Sequence, residues 1–593
     1  MIPVGTTVFE RQRPAASVIR YSLSETRQSV FWLDDLPDAP ARARVTGEST
    51  ADLVVVGAGY TGLWTALQAK RRNPASRVVV VEARTVGWAA SGRNGGFCEA
   101  SLTHGRDNGL SRWPDEIDRL DELGLANLDA MGEDIAQYGI DADWERVGSL
   151  GVATEPHQLE WLDEWAADAA ARGEDGVLRL TEAEVQASIA SPTYLGAVWE
   201  QHSTAMVHPG KLAAGLAHAA EEAGVEIFEG SPVHALDDAG ETVKVVTTHG
   251  RITAGRVALA TNVFPSLLKR NRLMTVPVYD YVLMTEPLSD AQLDEIGWRD
   301  RQGISDLANQ FHYYRLSRDN RILFGGYDAV YHYGRRVRSQ YENRPQSFEK
   351  LASHFFTTFP QLDGLRFTHK WAGAIDTSTQ FCAFFGTGRQ GRVAYAAGFT
   401  GLGVAATRFA ADVMLDLLSG GRTERTELEM VRKRPLPFPP EPARHRHQRH
   451  PLVARSCRPP RRQAQPAAED ARRPRPGVRL MSDLDAGVLV SASEVDVPLT
   501  PVPPAQVVSG SPSTGSVDLD EDMGIGVWEM TPGAISDVEV DEVFVVVAGS
   551  ATVEFVDPAL PSIDLEPGSI VRLEAGMRTI WTVREALRKV YLA

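Results

Sequence analysis

The sequence predicts an α/β protein that is followed by a smaller, all-β C-terminal module. Residues 1 to about 430 alternate strand-like and helix-like runs, which is typical of α/β folds. Within this part, residues 52–68 read as a buried strand, a glycine-rich turn and an apolar-periodic helix. Residues 481–593 instead hold short β-rich runs between proline and glycine turns, with the spacing of a barrel or a sandwich.

Length and composition narrow the classes of protein. A chain of 593 residues predicts two or three domains, and a net charge of −17 argues against a nucleic-acid partner held by phosphate contacts. The three cysteines are too few and too scattered for a disulfide framework or a zinc site. The N-terminus shows no signal-peptide pattern, and no uncharged apolar run approaches the roughly 18 residues of a spanning helix. We therefore expect a cytoplasmic protein that does not cross a membrane.

Residues 431–480 differ from both flanking parts. They contain 14 Lys or Arg against 3 acidic residues, together with 11 prolines. Such a segment buries too little apolar area to offset its ordering entropy, so we expect a disordered linker. Two alternatives stay open: a basic arm for nucleic acid, and a reading-frame slip that joins two neighbouring genes before Met481.

The turn after the strand 53–56 carries the strongest motif. Gly57 suits the tight turn, Gly59 lets the backbone approach a pyrophosphate, and Gly62 lets helix and strand pack closely. A second strand, residues 77–81, ends in Glu82, whose carboxylate suits two ribose hydroxyls and disfavours a 2′-phosphate. A second glycine match at residues 386–391 leads into a strand instead of a helix and is interpreted as an ordinary turn.

Residues 90–96 read Ala-Ser-Gly-Arg-Asn-Gly-Gly and lie where the chain passes over the rest of a dinucleotide. Here the sequence resembles the D-amino-acid-oxidase family of flavoproteins, and this string is most similar to its γ-glutamylputrescine-oxidase branch. The resemblance covers about residues 25–430. It implies an FAD-binding, Rossmann-like domain of the glutathione-reductase type with an antiparallel-sheet substrate domain.

Later segments resemble the family in the same order, at residues 207–216, 224–233, 257–262 and 398–405. The resemblance implies FAD-binding segments at about 50–110, 205–270 and 370–430, and substrate segments at about 111–204 and 271–369. The residues that it predicts to bind FAD are Gly57, Ala58, Gly59, Tyr60, Thr61, Gly62, Glu82, Ala83, Arg84, Ser91, Gly92, Arg93, Asn94, Gly95, Gly96, Val233, Ala260, Thr261, Asn262, Gly398, Thr400, Gly401, Leu402 and Gly403. Relatives that tether flavin use His or Cys, and Gly92-Arg93 offers neither, so we expect non-covalent FAD.

The resemblance also implies a chemistry. A neutral amine or amino acid would lose hydride from its α-carbon to flavin N5. In the γ-glutamylputrescine-like case, the substrate would be an amine. The imine would hydrolyse to an aldehyde and ammonia, and oxygen would accept the electrons as peroxide. Two alternatives remain: an FAD-dependent dehydrogenase that passes electrons to a partner, and a non-catalytic protein that binds flavin or another ligand.

Candidate catalytic residues come from two aromatic strings and one later tryptophan. Alternation predicts that Tyr279 and Tyr281 share one sheet face and that His312 and Tyr314 share another. Trp371 is a further candidate, and Asp376 nearby is expected to line the site. Aromatic rings suit an amine through cation–π contact, whereas the alternative is ordinary core packing.

The C-terminal segment resembles cupin domains of the ethanolamine-utilisation-like type. Asp537 and Glu539 stand where metal cupins carry their first His pair, and Arg578 stands near the third ligand position. Residues 481–593 contain no His and no Cys, so no nitrogen or sulfur ligand exists for a borderline metal. We expect a metal-free barrel that is structural or binds a small ligand.

Overall fold

The computed structural model describes residues 7–38, 41–438, 492, 495–504, 506–520, 525–540 and 542–592. The chain forms two compact units, which divide at Gln463/Ala464. The predicted linker of residues 431–480 lies outside the described residues from position 439 onward. In the described part of the chain, no helix combines the length and apolarity that crossing a membrane requires.

Eight strands of the first unit form a sheet with a parallel centre. Its strands are Gly47–Val56, Val78–Val81, Glu226–Phe228, Val233–Ala239, Thr242–Thr247, Gly250–Leu259, Phe384–Gly388 and Val393–Ala397. The parallel pairs follow the order 393–397, 250–259, 47–56, 78–81 and 226–228. This is the dinucleotide-binding architecture that the glycine turn predicts.

Both faces of this sheet are covered, which explains why its central strands are continuous runs of valine. Val55 and Val80 contact the helices Tyr60–Arg72, Pro209–Glu222 and Ala406–Ser419. Their neighbours Val54, Val56, Val79 and Val81 enter a second core, formed with the antiparallel strands. Successive side chains point to opposite faces, so a strand between two cores needs apolar residues at every position.

Ten strands form a second, mostly antiparallel sheet. They are Arg27–Gln28, Ser149–Ala153, Val177–Thr181, Gly196–Glu200, Thr275–Thr285, Gly303–Asp306, His312–Leu316, Ile322–Gly326, Val330–Tyr331 and Phe367–Ser378. One face is covered by the helix Pro345–Thr358 and its large apolar core. The opposite face contacts Phe31 and Trp32. Most of its strands lie in the segments that were predicted to form the substrate domain, 111–204 and 271–369.

The remaining elements connect and cover these sheets. The helices are Val8–Arg11, Ala16–Leu23, Phe31–Asp34, Arg106–Arg112, Ile117–Gln137, Gln158–Ala171, Glu182–Ser188, Asp290–Ile296, Glu424–Glu427 and Glu429–Arg432; the 3-10 turns are Ala90–Gly92, Lys269–Asn271, Ser339–Glu342 and Pro360–Leu362; and Phe97–Glu99 pairs with Thr204–Met206. The predicted segment limits differ from the structure at two points. Ile117–Gln137 packs into the dinucleotide-side core, because its apolar stripe contacts that core, and Phe367–Ser378 belongs to the substrate sheet.

Among the described residues of the second unit, every regular secondary-structure element is a strand. They are Thr500–Pro501, Val507–Gly510, Ser513–Asp520, Ile525–Met530, Gly533–Val538, Glu542–Asp557, Ile563–Leu565, Ile570–Leu573 and Arg578–Leu592. All their pairings are antiparallel. Buried and exposed residues alternate along 542–546, the period-two pattern of strands with one face inside a barrel. The predicted fold class is confirmed for both units.

Candidate active site

The first feature is the turn between the strand Gly47–Val56 and the helix Tyr60–Arg72. Gly57 has a φ of +105°, and a Cβ there would lie 2.5 Å from the carbonyl oxygen of Ala260. A Cβ on Gly62 would lie 1.9 Å from the carbonyl oxygen of Gly57, so both positions require glycine. The helix N-terminus behind the turn offers N–H groups and a partial positive charge to an anion such as a pyrophosphate.

Glu82 directly follows the second strand, Val78–Val81, and faces this turn. Its buried carboxylate accepts hydrogen bonds from the backbone N–H groups of Ala58 (2.8 Å) and Arg84 (2.9 Å) and from the indole N–H of Trp88 (2.9 Å). An ionised carboxylate accepts about four hydrogen bonds, so roughly one acceptor position remains. Arg84 itself lies over the Trp88 ring, 4.2 Å from its centroid. Sequence reasoning missed Trp88, although it lies between two predicted segments.

The loop 91–96 is fixed in place by two buried tryptophans. The Trp32 indole donates to the carbonyl of Asn94 (3.0 Å), and the Trp371 indole donates to the carbonyl of Arg93 (2.8 Å). The Ser91 hydroxyl accepts the N–H of Tyr60 (3.0 Å), which joins the loop to the first glycine turn. Trp371 therefore lies on the side of the sheet that faces the loop 91–96, which it holds through this hydrogen bond; Trp32 was not predicted.

The C-terminal glycine-rich turn, residues 398–403, is held by Asp376. Its buried carboxylate accepts the N–H of Gly398 at 2.6 Å. Burial raises the pKa of Asp376 to about 7, and hydrogen bonds from backbone N–H groups partly offset this. Thr400 and Gly401 both have positive φ, and the helix Ala406–Ser419 follows the turn. Asp376 thus holds the start of this turn through a hydrogen bond from within the core.

The other predicted cofactor residues lie at the ends of neighbouring strands. The N–H groups of Gly230 and Ser231, just before Val233, donate to the carbonyls of Arg84 and Glu82 (both 2.8 Å). Ala83 and Arg84 are exposed. Thr261 and Asn262 line a cavity of about 210 Å³ that begins where the strand Gly250–Leu259 ends. The structure therefore brings all the predicted cofactor segments to one edge of the parallel sheet.

Four of the five predicted catalytic residues lie elsewhere. Tyr279, Tyr281, His312 and Tyr314 all point to the face that is covered by the helix Pro345–Thr358, so the expectation of two different faces is wrong. The strands 275–285 and 312–316 are separated by one strand and keep their pleats in register, so these alternating positions coincide on one face. This placement gives them a packing role on the face away from the loop 91–96, which was predicted to bind FAD.

Each of these four side chains already has a structural partner. The Tyr314 and Tyr194 hydroxyls lie 2.6 Å apart, and the Tyr281 hydroxyl donates to the carbonyl of Tyr341 (2.9 Å). The Tyr279 hydroxyl accepts the N–H of Arg338 (2.9 Å). His312 Nδ1 lies 2.6 Å from a carboxylate oxygen of Asp306, and its Nε2 lies 2.9 Å from Nδ1 of His354.

The side chains one position away face the loop 91–96, which was predicted to bind FAD. The ring of Tyr313 packs on Gly95 so closely that a Cβ there would lie 2.6 Å from the ring. The Tyr313 hydroxyl donates to the half-buried carboxylate of Asp280. Burial raises the pKa of Asp280 to about 6, and the Tyr313 hydroxyl partly offsets this shift. Sequence reasoning missed both residues, because alternation leaves open which face of a strand meets the cofactor.

Asp280 lies beside the part of the strand Phe367–Ser378 that contacts both the loop 91–96 and the turn 398–403. The strand Phe367–Ser378 runs between them: Gly373 lies 3.4 Å from the Arg93 side chain when a Cβ is added, and Ile375 lies 3.9 Å from an added Cβ on Gly401. Asp280 pairs directly with Gly373 across the sheet. An acid and a phenol therefore lie where the predicted flavin segments and the substrate sheet meet.

In the C-terminal barrel, only one of the three metal-position residues points inward. Glu539 is buried and accepts the Trp581 indole N–H (2.7 Å), whereas Asp537 is half-buried and Arg578 is exposed. Lys589 and Glu542 form a buried ion pair, and the ammonium lies 4.3 Å from the centroid of the Phe544 ring. No group of three or more potential metal ligands occurs among the described residues.

Comparisons with known proteins match the α/β unit and the C-terminal β unit separately. A profile of FAD-dependent oxidoreductases matches residues 52–417, and one of EutQ-like cupin domains matches residues 517–591. The chain is 32% identical over 381 residues to γ-glutamylputrescine oxidoreductase of Escherichia coli, covering 63% of this chain and 84% of that protein. It is 29% identical over 378 residues to the probable oxidoreductase OrdL of Haemophilus influenzae, covering 62% and 83%.

Solved structures share the fold. Glycine oxidase from Geobacillus kaustophilus superposes with a TM-score of 0.53 at 21% identity, covering 64% of this chain and 96% of that one. L-amino acid deaminase from Proteus vulgaris gives a TM-score of 0.54 at 18% identity, covering 65% and 97%. With the family profile spanning 52–417 and the glycine turns in place, the chain belongs to the D-amino-acid-oxidase family of FAD-dependent oxidoreductases and carries an additional EutQ-like cupin domain.

Proposed function

We propose that this enzyme oxidises the C–N bond of an amine, with a γ-glutamylputrescine-like amine as the first candidate and oxygen as the acceptor. The balanced reaction converts amine, oxygen and water into aldehyde, ammonia and hydrogen peroxide. Bound FAD supplies the two-electron chemistry. The observation that carries the proposal is the Tyr313–Asp280 pair packed against Gly95, because it sets polar substrate-side groups directly against a predicted flavin loop.

The residues present fit an FAD. The glycine turn at 57–62 forms a backbone cradle that a Cβ at Gly57 or Gly62 would fill. Glu82 would hold the ribose, and the loop 91–96 and the turn 398–403 would hold the flavin end. The chain itself would hold these segments in fixed positions around the FAD and exclude water. Hydride transfer from an amine depends more on the positioning of the amine against the flavin than on a strong base.

The two described cysteines support non-covalent FAD. Cys98 and Cys382 are both buried and free. Burial raises the pKa of Cys98 well above its usual range and that of Cys382 to about 12, so neither thiol readily forms the thiolate that a covalent bond to flavin needs. Free thiols also suit the reducing cytoplasm, which we propose as the location.

The test begins with the absorbance spectrum of the purified protein and anaerobic titration with a panel of amines and amino acids that includes γ-glutamylputrescine. We expect flavin bands near ~450 nm that bleach with an amine and recover when air is admitted. Acid precipitation should release the flavin into the supernatant. Recovery only with an artificial acceptor would favour a dehydrogenase, and a flavin that no amine or amino acid bleaches would contradict the proposal.

A further inference from the structure

We propose that Trp88 is a positioning residue that occupies one oxygen of the Glu82 carboxylate, so that Glu82 binds the adenosine ribose of FAD through a single hydroxyl. The inference rests on the proposed placement of FAD and narrows it, because the sequence by itself predicts a contact with both ribose hydroxyls. It is carried by the hydrogen bonds to Glu82 and by the contacts that hold the Trp88 ring.

The two oxygens of the Glu82 carboxylate are unequally occupied. Oε1 accepts the backbone N–H of Arg84 and the indole N–H of Trp88, both at 2.9 Å. In the described part of the chain, Oε2 accepts one hydrogen bond, from the backbone N–H of Ala58 at 2.8 Å. Each carboxylate oxygen offers about two acceptor positions, so Oε1 is filled and Oε2 keeps roughly one. Because Glu82 is buried, that remaining position is where a ribose hydroxyl can donate a full hydrogen bond.

The occupied oxygen limits what Glu82 can bind. A carboxylate with both oxygens open accepts one hydrogen bond from each of two neighbouring hydroxyls. Here the second hydroxyl would have to share Oε1 with two N–H donors, and a hydrogen bond weakens steeply once its geometry is poor. The donors from Ala58 and Arg84 are backbone groups, which any side chain at those positions would leave in place. The Trp88 indole therefore decides how many ribose hydroxyls Glu82 binds.

The Trp88 indole is held in this position from several sides. The Arg84 guanidinium lies 4.2 Å from the centroid of the Trp88 ring, and the Phe264 ring packs at 5.5 Å between centroids. The Trp88 carbonyl accepts hydrogen bonds from Nε (3.2 Å) and Nη2 (2.8 Å) of Arg93. Rotation of the indole away from Glu82 would break the two ring contacts, so its N–H stays directed at Oε1.

The test measures FAD affinity with one ribose hydroxyl removed at a time. Apoprotein is titrated with FAD and with the two analogues that are made from FMN and either 2′-deoxy- or 3′-deoxyadenosine triphosphate, and binding is followed by flavin fluorescence. The proteins are the wild type, Trp88→Phe and a matched control, Trp165→Phe. The Trp165 indole also donates to a carboxylate, that of Glu200 at 3.1 Å, but in the small core between the helix Gln158–Ala171 and the ten-stranded sheet.

Each analogue is compared with FAD in the same protein, so a general loss of stability or of affinity cancels in the ratio. In the wild type, one analogue should bind about 10- to 100-fold more weakly than FAD, which is the loss of one hydrogen bond to a charged group, and the other should bind within about twofold of FAD. In Trp88→Phe the freed Oε1 can accept the second hydroxyl, so both analogues should bind at least ~fivefold more weakly than FAD. Trp165→Phe should keep the wild-type pattern.

Equal losses with the two analogues in the wild type, or no loss with either, would overturn the inference while amine oxidation stands. A Trp88→Phe protein with the wild-type pattern would overturn it as well. If Trp88→Phe fails to fold, the wild-type ratios alone decide. A wild type that binds no FAD would refute the proposed function itself.

Discussion

Replacing Trp371 by phenylalanine tests whether the indole hydrogen bond to Arg93 holds the predicted flavin loop. The substitution keeps an aromatic ring in the same core and removes only the N–H that donates to the Arg93 carbonyl at 2.8 Å. Leaving such a carbonyl without its donor costs about 1–3 kcal/mol. If that cost falls on the loop order that FAD binding needs, the Kd for FAD rises by roughly 5- to 150-fold, at ~1.4 kcal/mol per factor of ten.

The assay is titration of the apoprotein with FAD, followed by flavin fluorescence, beside thermal unfolding. Trp298→Phe is the matched control, because that buried indole also donates to a carbonyl, of Gln302 at 3.1 Å, but in the core behind the substrate sheet. Both variants should be destabilised, and only Trp371→Phe should lose FAD affinity. Equal FAD affinity in the two variants would refute a positioning role for Trp371.

Three further predictions concern buried polar groups. Burial raises the pKa of Asp376 from 3.8 to about 7, so the folded protein binds this proton more readily than the unfolded chain does. The free energy of unfolding should therefore fall as pH rises from about 4 to 7. In urea titrations at several pH values, Asp376→Asn should lack this contribution to the pH dependence of the free energy of unfolding. Tyr314→Phe loses only its bond to Tyr194, so we expect about 1 kcal/mol of destabilisation and amine kcat/KM within about twofold of wild type; a tenfold loss would return it to the catalytic candidates. Lys589→Met leaves the buried Glu542 unpaired and should destabilise the barrel by about 3–5 kcal/mol, as measured by calorimetry. The double variant Lys589→Met/Glu542→Leu should recover most of this loss. An unchanged unfolding transition in the single variant would contradict a stabilising ion pair.

The local geometry of the segments predicted to bind FAD was largely readable from the sequence. Gly57 and Gly62 are required by backbone contacts within one strand–turn–helix unit, and Glu82 follows from the length of the next strand. Such motifs are local: the residues that meet are joined by a short chain whose geometry has few solutions. The later glycine turn at 398–403 was recognisable by family resemblance, and the structure places it beside the strand that ends near Asp376.

The substrate side was not readable in the same way. The sequence shows that Tyr279 and Tyr281 alternate with Asp280, and that Tyr313 lies between two other candidates. Alternation assigns side chains to two faces but leaves unstated which face meets the cofactor, and a wrong choice inverts every assignment on the strand.

What the sequence determined by itself was therefore the α/β fold, the nucleotide turn and the separate β module, because each depends on periodicity and on contacts between near neighbours. Only the tertiary structure decided that Asp280 and Tyr313 face Gly95 while His312 and Tyr314 pack beneath the helix Pro345–Thr358. The physical reason is that alternation along a strand does not fix which face of the sheet each partner covers. The helix Pro345–Thr358 packs on one face and Trp32 on the other, and both are distant in sequence from the strands that they cover.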